Sequence, residues 1–131
     1  MIVLDASSVL EVLLRTPVGV RIEQHIFRPG ESLHAPHLID LEVAQVLRRY
    51  AASGEIENAR AIQALEDLDD LPLSRYSHRL FLPRIWQLRR NLTAYDAAYV
   101  ALAEALPATL LTQDRRLAKA PGSLAKIEVI R

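Results

Sequence analysis

Apolar residues recur along this chain with two alternating spacings, and the alternation predicts the architecture. Ile2-Val3-Leu4 is a short uninterrupted apolar run ending at Asp5, the pattern of a strand covered on both faces. Val9, Leu10, Val12, Leu13 and Leu14 then fall at helical spacing, with Ser7 or Ser8 as the expected cap. Thr16-Pro17 resets the chain, Thr as N-cap and Pro at the first helical position, and Val18, Ile22 and Ile26 follow at intervals of four until Pro29-Gly30. Ser32 to Ala35 predicts a second strand. After Pro36 a strong helix places Ile39, Val43, Val46, Leu47 and Tyr50 on its more apolar side, and Gly54 is its expected stop.

The second half repeats the scheme. A helix is predicted from about Glu55 to Leu68, with Ile56, Ala59, Ile62 or Gln63, and Leu65 or Glu66 in an imperfect 3.6-residue period. Leu71 to Tyr76 reads as a strand that Pro72 pushes toward a sheet edge, followed by a helix through Leu80, Phe81, Ile85, Trp86 and Leu88. Thr93 caps an alanine-rich helix, Ala94 to Ala105, and Ala108 to Thr112 is a compact strand. Asp114 to Ala120 predicts a short helix and Ile127 to Ile130 a last strand. Strands that alternate with helices predict an α/β fold, a mostly parallel central β-sheet flanked by α-helices, with residues 1–131 as one domain.

Composition narrows the chemistry. A chain of 131 residues that is 50% hydrophobic can bury a core, which argues against disorder. The absence of cysteine excludes a disulfide framework, a thiolate nucleophile and any Cys-containing zinc site. The N-terminus carries an aspartate inside its apolar run and lacks the basic start of a signal peptide, and no apolar stretch is long enough to span a membrane, so a cytoplasmic location is expected. Lys+Arg and Asp+Glu balance at 16 each, but residues 1–70 carry twelve acids against six bases and residues 71–131 carry four against ten. Arg75, Arg79, Arg84, Arg89 and Arg90 occur with no acid among them, which fits a solvated face, a phosphate-binding surface or a contact for an acidic partner.

In a parallel sheet ligands gather beyond the carboxyl ends of the strands, and acids that follow strands carry the most weight there. Asp5 and Asp114 satisfy that condition. Glu42 lies among apolar residues of the long helix, and Asp96 stands three residues after Thr93, where a capping box and an ion-binding role are both open. The four acids are separated by 37, 54 and 18 residues, as elements converging in space would be. Converging carboxylates raise one another's pKa unless a cation lies among them, and oxygen-only donors suit Mg²⁺ or Mn²⁺. Ser7 and Thr112 either position a water or ligand there or satisfy turn backbone. The histidines form no HExxH motif, no GxSxG elbow is present, and glycines 19, 30, 54 and 122 build no phosphate loop. Tyr95 and Tyr99, four apart, and Trp86 are expected to serve as core or interface before any base-stacking role.

Four ordered segments, IVLDASSVLEVLL, PHLIDLEVAQVLRR, LTAYDAAYVALAEAL and LLTQDRRLAKA, resemble the PIN-domain ribonucleases, most closely the VapC toxins of bacterial type II toxin–antitoxin systems. The likeness spans nearly the whole chain. It implies that Asp5, Glu42, Asp96 and Asp114 are the metal-binding and catalytic acids, with Ser7 and Thr112 as supporting or water-positioning groups. Some relatives carry a further acid after the last aspartate, where this chain has Arg115-Arg116, leaving a second metal position more dependent on water and substrate phosphate.

The resemblance further implies an endoribonuclease toxin dependent on Mg²⁺ or Mn²⁺, which cleaves structured tRNA or rRNA to inhibit translation and growth and leaves 5′-phosphate and 3′-hydroxyl ends. A homodimer and a hetero-oligomer with a cognate VapB-type antitoxin are expected, with operator DNA reached only through the antitoxin. Arg84, Arg89, Arg90, Arg115 and Arg116 are candidate contacts to RNA or antitoxin, and the apolar surface near Leu10, Leu13 and Leu14, or the long helices, is the expected antitoxin seat. The rival readings are a PIN-type nuclease for RNA processing or DNA flaps, and a non-catalytic binding module, which the four intact acids disfavour.

Overall fold

The computed structural model describes residues 1–131. Five strands, β1 (Ile2–Leu4), β2 (Leu33–Pro36), β3 (Leu73–Tyr76), β4 (Thr109–Thr112) and β5 (Lys126–Val129), form one sheet in the order β3-β2-β1-β4-β5. Every pairing is parallel, so the expected mostly parallel sheet is wholly so. Ile2 on the central strand pairs with Leu33 on one side and with Thr109 on the other. The chain therefore builds outward from β1 to β2 and β3, returns, and builds the other way through β4 and β5. That reversal leaves a crevice beyond the carboxyl ends of β1 and β4, where no crossover helix covers both strands.

Seven α-helices flank the sheet: α1 (Ala6–Leu13), α2 (Pro17–Ile26), α3 (Leu38–Ala52), α4 (Asn58–Asp70), α5 (Leu82–Gln87), α6 (Ala94–Ala105) and α7 (Arg115–Lys119). The helix expected through Leu80 and Leu88 is split. His78–Phe81 is a 3₁₀ turn, and Pro83 sits in the first turn of α5, where a missing N–H costs nothing. Helix α4 begins at Asn58 rather than near Glu55, because Gly54 takes a positive φ and the chain turns before it can re-enter a helix. Its buried stripe is Ala61, Ala64 and Leu68, while Ile62 and Leu65 face outward, so small residues rather than the larger apolar ones bring α4 against its neighbours.

A single cluster of 32 buried apolar residues runs through the domain, with β1 at its centre. Helix α6 is buried continuously from Ala97 to Ala103, packing on β1, β2 and β4 while α5 covers its other side. Alanines make that close approach possible and bring the start of α6 over the crevice. Helices α1 and α2 cross just as closely at Gly19: a Cβ there would lie 2.0 Å from the Glu11 carbonyl oxygen. Leu10 and Leu13 are buried and Leu14 is half-buried. No helix is long and apolar enough to cross a membrane.

Candidate active site

Asp5 leaves the central strand and enters the crevice almost fully buried, at 8% exposure. The cap of α1 is Asp5 itself, not Ser7 or Ser8: its Oδ1 accepts from the Ser8 backbone N–H at 3.0 Å. The same oxygen accepts from Ser7 Oγ at 2.7 Å, and Oδ2 accepts from Thr112 Oγ1 at 2.5 Å. Both hydroxyls also serve turn backbone. Ser7 Oγ accepts from the Gln113 N–H at 3.1 Å and Thr112 Oγ1 from the Asp114 N–H at 3.0 Å. These bonds stitch the ends of β1 and β4 around one carboxylate. Burial pushes the Asp5 pKa up, and the bonds from Thr112, Ser7 and Ser8 pull it partly back.

The other three acids arrive on helices. Glu42, one turn into α3, accepts from the Tyr99 hydroxyl at 2.6 Å. Asp96 lies in the first turn of α6, where its N–H donates to Thr93 Oγ1 at 3.1 Å, so the capping box is half formed. Asp114 caps α7 and takes a forked ion pair from Arg116, with Nε at 3.2 Å from Oδ1 and Nη2 at 3.1 Å from Oδ2.

Neighbouring acids bear on one another pairwise, Asp96 and Asp5 on Glu42 and Asp114 on Asp96. Burial raises the pKa of Glu42, and the charges of Asp96 and Asp5 raise it further against the opposing Tyr99 bond. Asp96 is likewise raised by burial and by the charge of Asp114. Asp114 alone is lowered, by the Arg116 guanidinium. An oxygen-only set in which Asp5, Glu42 and Asp96 have no ion-pair partner fits a hard divalent cation. The side chains are not drawn into a closed cage, since no three acids or histidines stand in a common ligating geometry.

The sequence profile of the PIN domain matches residues 2–123. The chain belongs to the PIN-domain family. Within it, this PIN domain is 43% identical over 133 residues to Ribonuclease VapC1 of Mycobacterium tuberculosis, covering 98% of this chain and 97% of the relative. It is 38% identical over 130 residues to Ribonuclease VapC12 of the same organism, covering 99% of each. Among solved structures it is similar to VapBC2 of Rickettsia felis bound to a DNA fragment from their promoter, with a TM-score of 0.72 at 14% identity over 100% of both chains. The crystal structure of PAE2754 from Pyrobaculum aerophilum matches 94% of this chain and 87% of its own, with a TM-score of 0.65 at 24% identity. At those identities the solved structures attest the fold.

The arginines expected to meet RNA or antitoxin divide into two groups. Arg84 is not a free contact: its guanidinium forks onto Glu104 at 2.8 and 3.0 Å and donates to the Gly122 carbonyl at 2.8 Å, pinning the loop before β5 to α6. Arg75 is similarly paired with Asp40, and Arg116 with Asp114. Arg89 lies 4.6 Å over the exposed Trp86 ring, whereas Arg90 and Arg115 are exposed and unpaired. Sequence reasoning missed one participant. Tyr99 reads as core, and it is buried, but its hydroxyl is what holds Glu42.

Proposed function

We propose that this PIN-domain protein is an endoribonuclease toxin that uses Mg²⁺ or Mn²⁺ to cleave structured RNA, such as tRNA or rRNA, and is restrained by a VapB-type antitoxin. The observation that carries the reading is that a chain 43% identical to a ribonuclease over 98% of its length places Asp5 and Asp114 directly after β1 and β4 and ties Glu42 of α3 to α6, the helix that carries Asp96. Asp5, Glu42 and Asp96 would hold the ion, with Asp114 joining when Arg116 swings to solvent or to substrate phosphate. A bound divalent ion supplies Lewis acidity and lowers the pKa of a coordinated water.

The chain's own part is positional. Thr112, Ser7 and the Ser8 N–H fix both oxygens of Asp5, and Tyr99 fixes Glu42. Asp96 is carried on a helix buried over nearly two turns, so its backbone cannot drift. Exposed Arg90 and Arg115 supply positive charge for phosphates around an acidic centre. The antitoxin reading is supported by the likeness to the VapC ribonucleases, and such a partner would act by covering the crevice; a homodimer is proposed on the same footing.

Expression of the chain alone, followed by transcriptome-wide mapping of new 5′-phosphate ends, tests the assignment. Wild type should create a defined set of ends that the Asp96→Asn variant does not. Cuts shared by both proteins, or none in either, would sink it.

A further inference from the structure

A hollow of about 670 Å³ opens between α1 and α3 and ends at the acids, sharing Ser7 and Glu42 with them. Its mouth carries two side chains that a soluble protein would ordinarily cover: Tyr95 is 66% exposed and Leu41 77%. Its floor is apolar, with Leu10 below Leu41. Around that floor stand Gln45, Arg49 and Tyr50, and neither these three side chains nor the Tyr95 hydroxyl makes a hydrogen bond or ion pair within the chain. An aromatic face, an apolar floor and a ring of unspent donors together match the chemistry of an unpaired nucleobase, which stacks on one face and is read along its edges.

We propose that this hollow is a base subsite: an unpaired nucleobase next to the scissile phosphate stacks on Tyr95 and meets Gln45 at its edge. The proposal rests on the ribonuclease reading and extends it to specificity. Tyr95 immediately precedes Asp96, so a base on the tyrosine ring and a phosphate at the acids belong to neighbouring parts of one nucleotide strand. Arg49 lies seven residues beyond Glu42 on α3, about 10 Å along the helix axis. At that spacing its guanidinium is offered to a phosphate of the same strand. A partner's amphipathic helix would leave the polar ring of Gln45, Arg49 and Tyr50 unused.

The test uses a short synthetic RNA hairpin spanning a mapped cut, its four base variants at the position flanking the cut, and a version with an abasic ribose there. Cleavage is followed as kcat/KM for wild type, Tyr95→Ala and Tyr95→Phe, with thermal melts to confirm folding. Wild type should cut the best base version about tenfold or more faster than the abasic one, the scale of one base–aromatic stack. Tyr95→Ala should flatten that ratio toward one, and Tyr95→Phe should restore it. Equal losses on base-bearing and abasic RNA would overturn the subsite while leaving the ribonuclease intact. So would unchanged cleavage by Tyr95→Ala accompanied by weaker inhibition by the antitoxin, which would give the hollow to a protein segment. If wild type cuts none of the RNAs, the ribonuclease reading fails and the subsite with it.

Discussion

Tyr99 donates a 2.6 Å hydrogen bond to Glu42, tying the buried face of α6 to a carboxylate of α3 across the mouth of the sheet. The phenol is pushed well above its ordinary pKa by burial and by the neighbouring Glu42, so it remains protonated and stays the donor. Glu42 then has one oxygen fixed and one without a hydrogen-bond partner in the chain. Removing the hydroxyl should loosen a proposed metal ligand without emptying the core. Tyr99→Phe is expected to raise the Mg²⁺ concentration needed for half-maximal cleavage by roughly tenfold or more, the usual effect of losing a ligand's supporting bond. Its stability should fall by only about 1 kcal/mol. A magnesium titration that matches wild type would show that Tyr99 does not hold Glu42 for catalysis.

Asp5 has two jobs that substitution can separate. As N-cap of α1 it needs an oxygen for the Ser8 N–H, and as a site carboxylate it needs its charge. Asn keeps the cap and removes the charge, whereas Ala removes both. Asp5→Asn is expected to fold at least as well as wild type in metal-free buffer, since a desolvated charge beside other acids is gone, yet to lose cleavage. Asp5→Ala should be destabilised by about 1–2 kcal/mol as well. Urea melts in chelator, repeated with added Mg²⁺, check both points: the ion should raise the midpoint of wild type and leave Asp5→Asn unmoved.

The crossing of α1 and α2 depends on the absence of one methyl group. Gly19 has a helical φ, so its backbone conformation is open to alanine, but a Cβ would meet the Glu11 carbonyl at 2.0 Å. Neither helix can yield without moving Ile22 or Val12 out of the core. Gly19→Ala should therefore cost roughly 2–4 kcal/mol, although alanine is the better helix former. Denaturant midpoints that fall by less than the error of the measurement would mean that the helices part freely.

Much of this was legible in the residues, for reasons that differ by element. Thr16-Pro17 and Thr93 announce α2 and α6 because caps are local chemistry, read within four residues of the helix they start. The acids were legible because strands end where their apolar runs end, leaving Asp5 and Asp114 at the crevice. The Tyr99 bond to Glu42 was not, since a tyrosine in an alanine-rich helix is read as packing and its partner lies 57 residues away. The inward stripe of α4 was misread for a similar reason. Periodicity identifies apolar positions, but whether Ala64 or Leu65 faces in depends on how closely the neighbouring helix approaches.

Arginines that look alike in sequence should behave differently when removed. Arg84→Ala strands the Glu104 carboxylate, only 14% exposed, and frees the loop at Gly122, so about 2 kcal/mol of stability should be lost. Arg90→Ala removes an exposed, unpaired charge and should leave the melt unchanged. If Arg90 meets one RNA phosphate, the slope of log affinity against log salt should flatten by about 0.7. Filter binding to RNA with the cleavage-deficient Asp96→Asn background measures that slope. An unchanged slope would remove Arg90 from the RNA surface.

His34 is expected to make the fold sensitive to mild acid. It is buried on β2 with Nδ1 2.7 Å from the Tyr76 hydroxyl and Nε2 2.7 Å from Ser32 Oγ. Burial, and secondarily the N-terminal ammonium, lower its pKa below the ordinary value of 6.5. The neutral ring donates through one nitrogen and accepts through the other, and either hydroxyl can match it. Protonation would oblige both hydroxyls to accept and would place a charge in the sheet. Because the folded pKa lies below the unfolded one, the unfolded chain binds the extra proton first. The contribution to stability is therefore complete above about pH 6.5 and declines as pH falls from there toward the lowered folded value. Asp5, Glu42 and Asp96 act with the opposite sign, since their raised values favour the folded state as they protonate. The comparison must consequently be made against His34→Gln, which keeps one donor and one acceptor but cannot titrate. Between pH 7.5 and 5.5, wild type should lose more unfolding free energy in urea than the variant does. Parallel losses in the two proteins would place the acid sensitivity elsewhere.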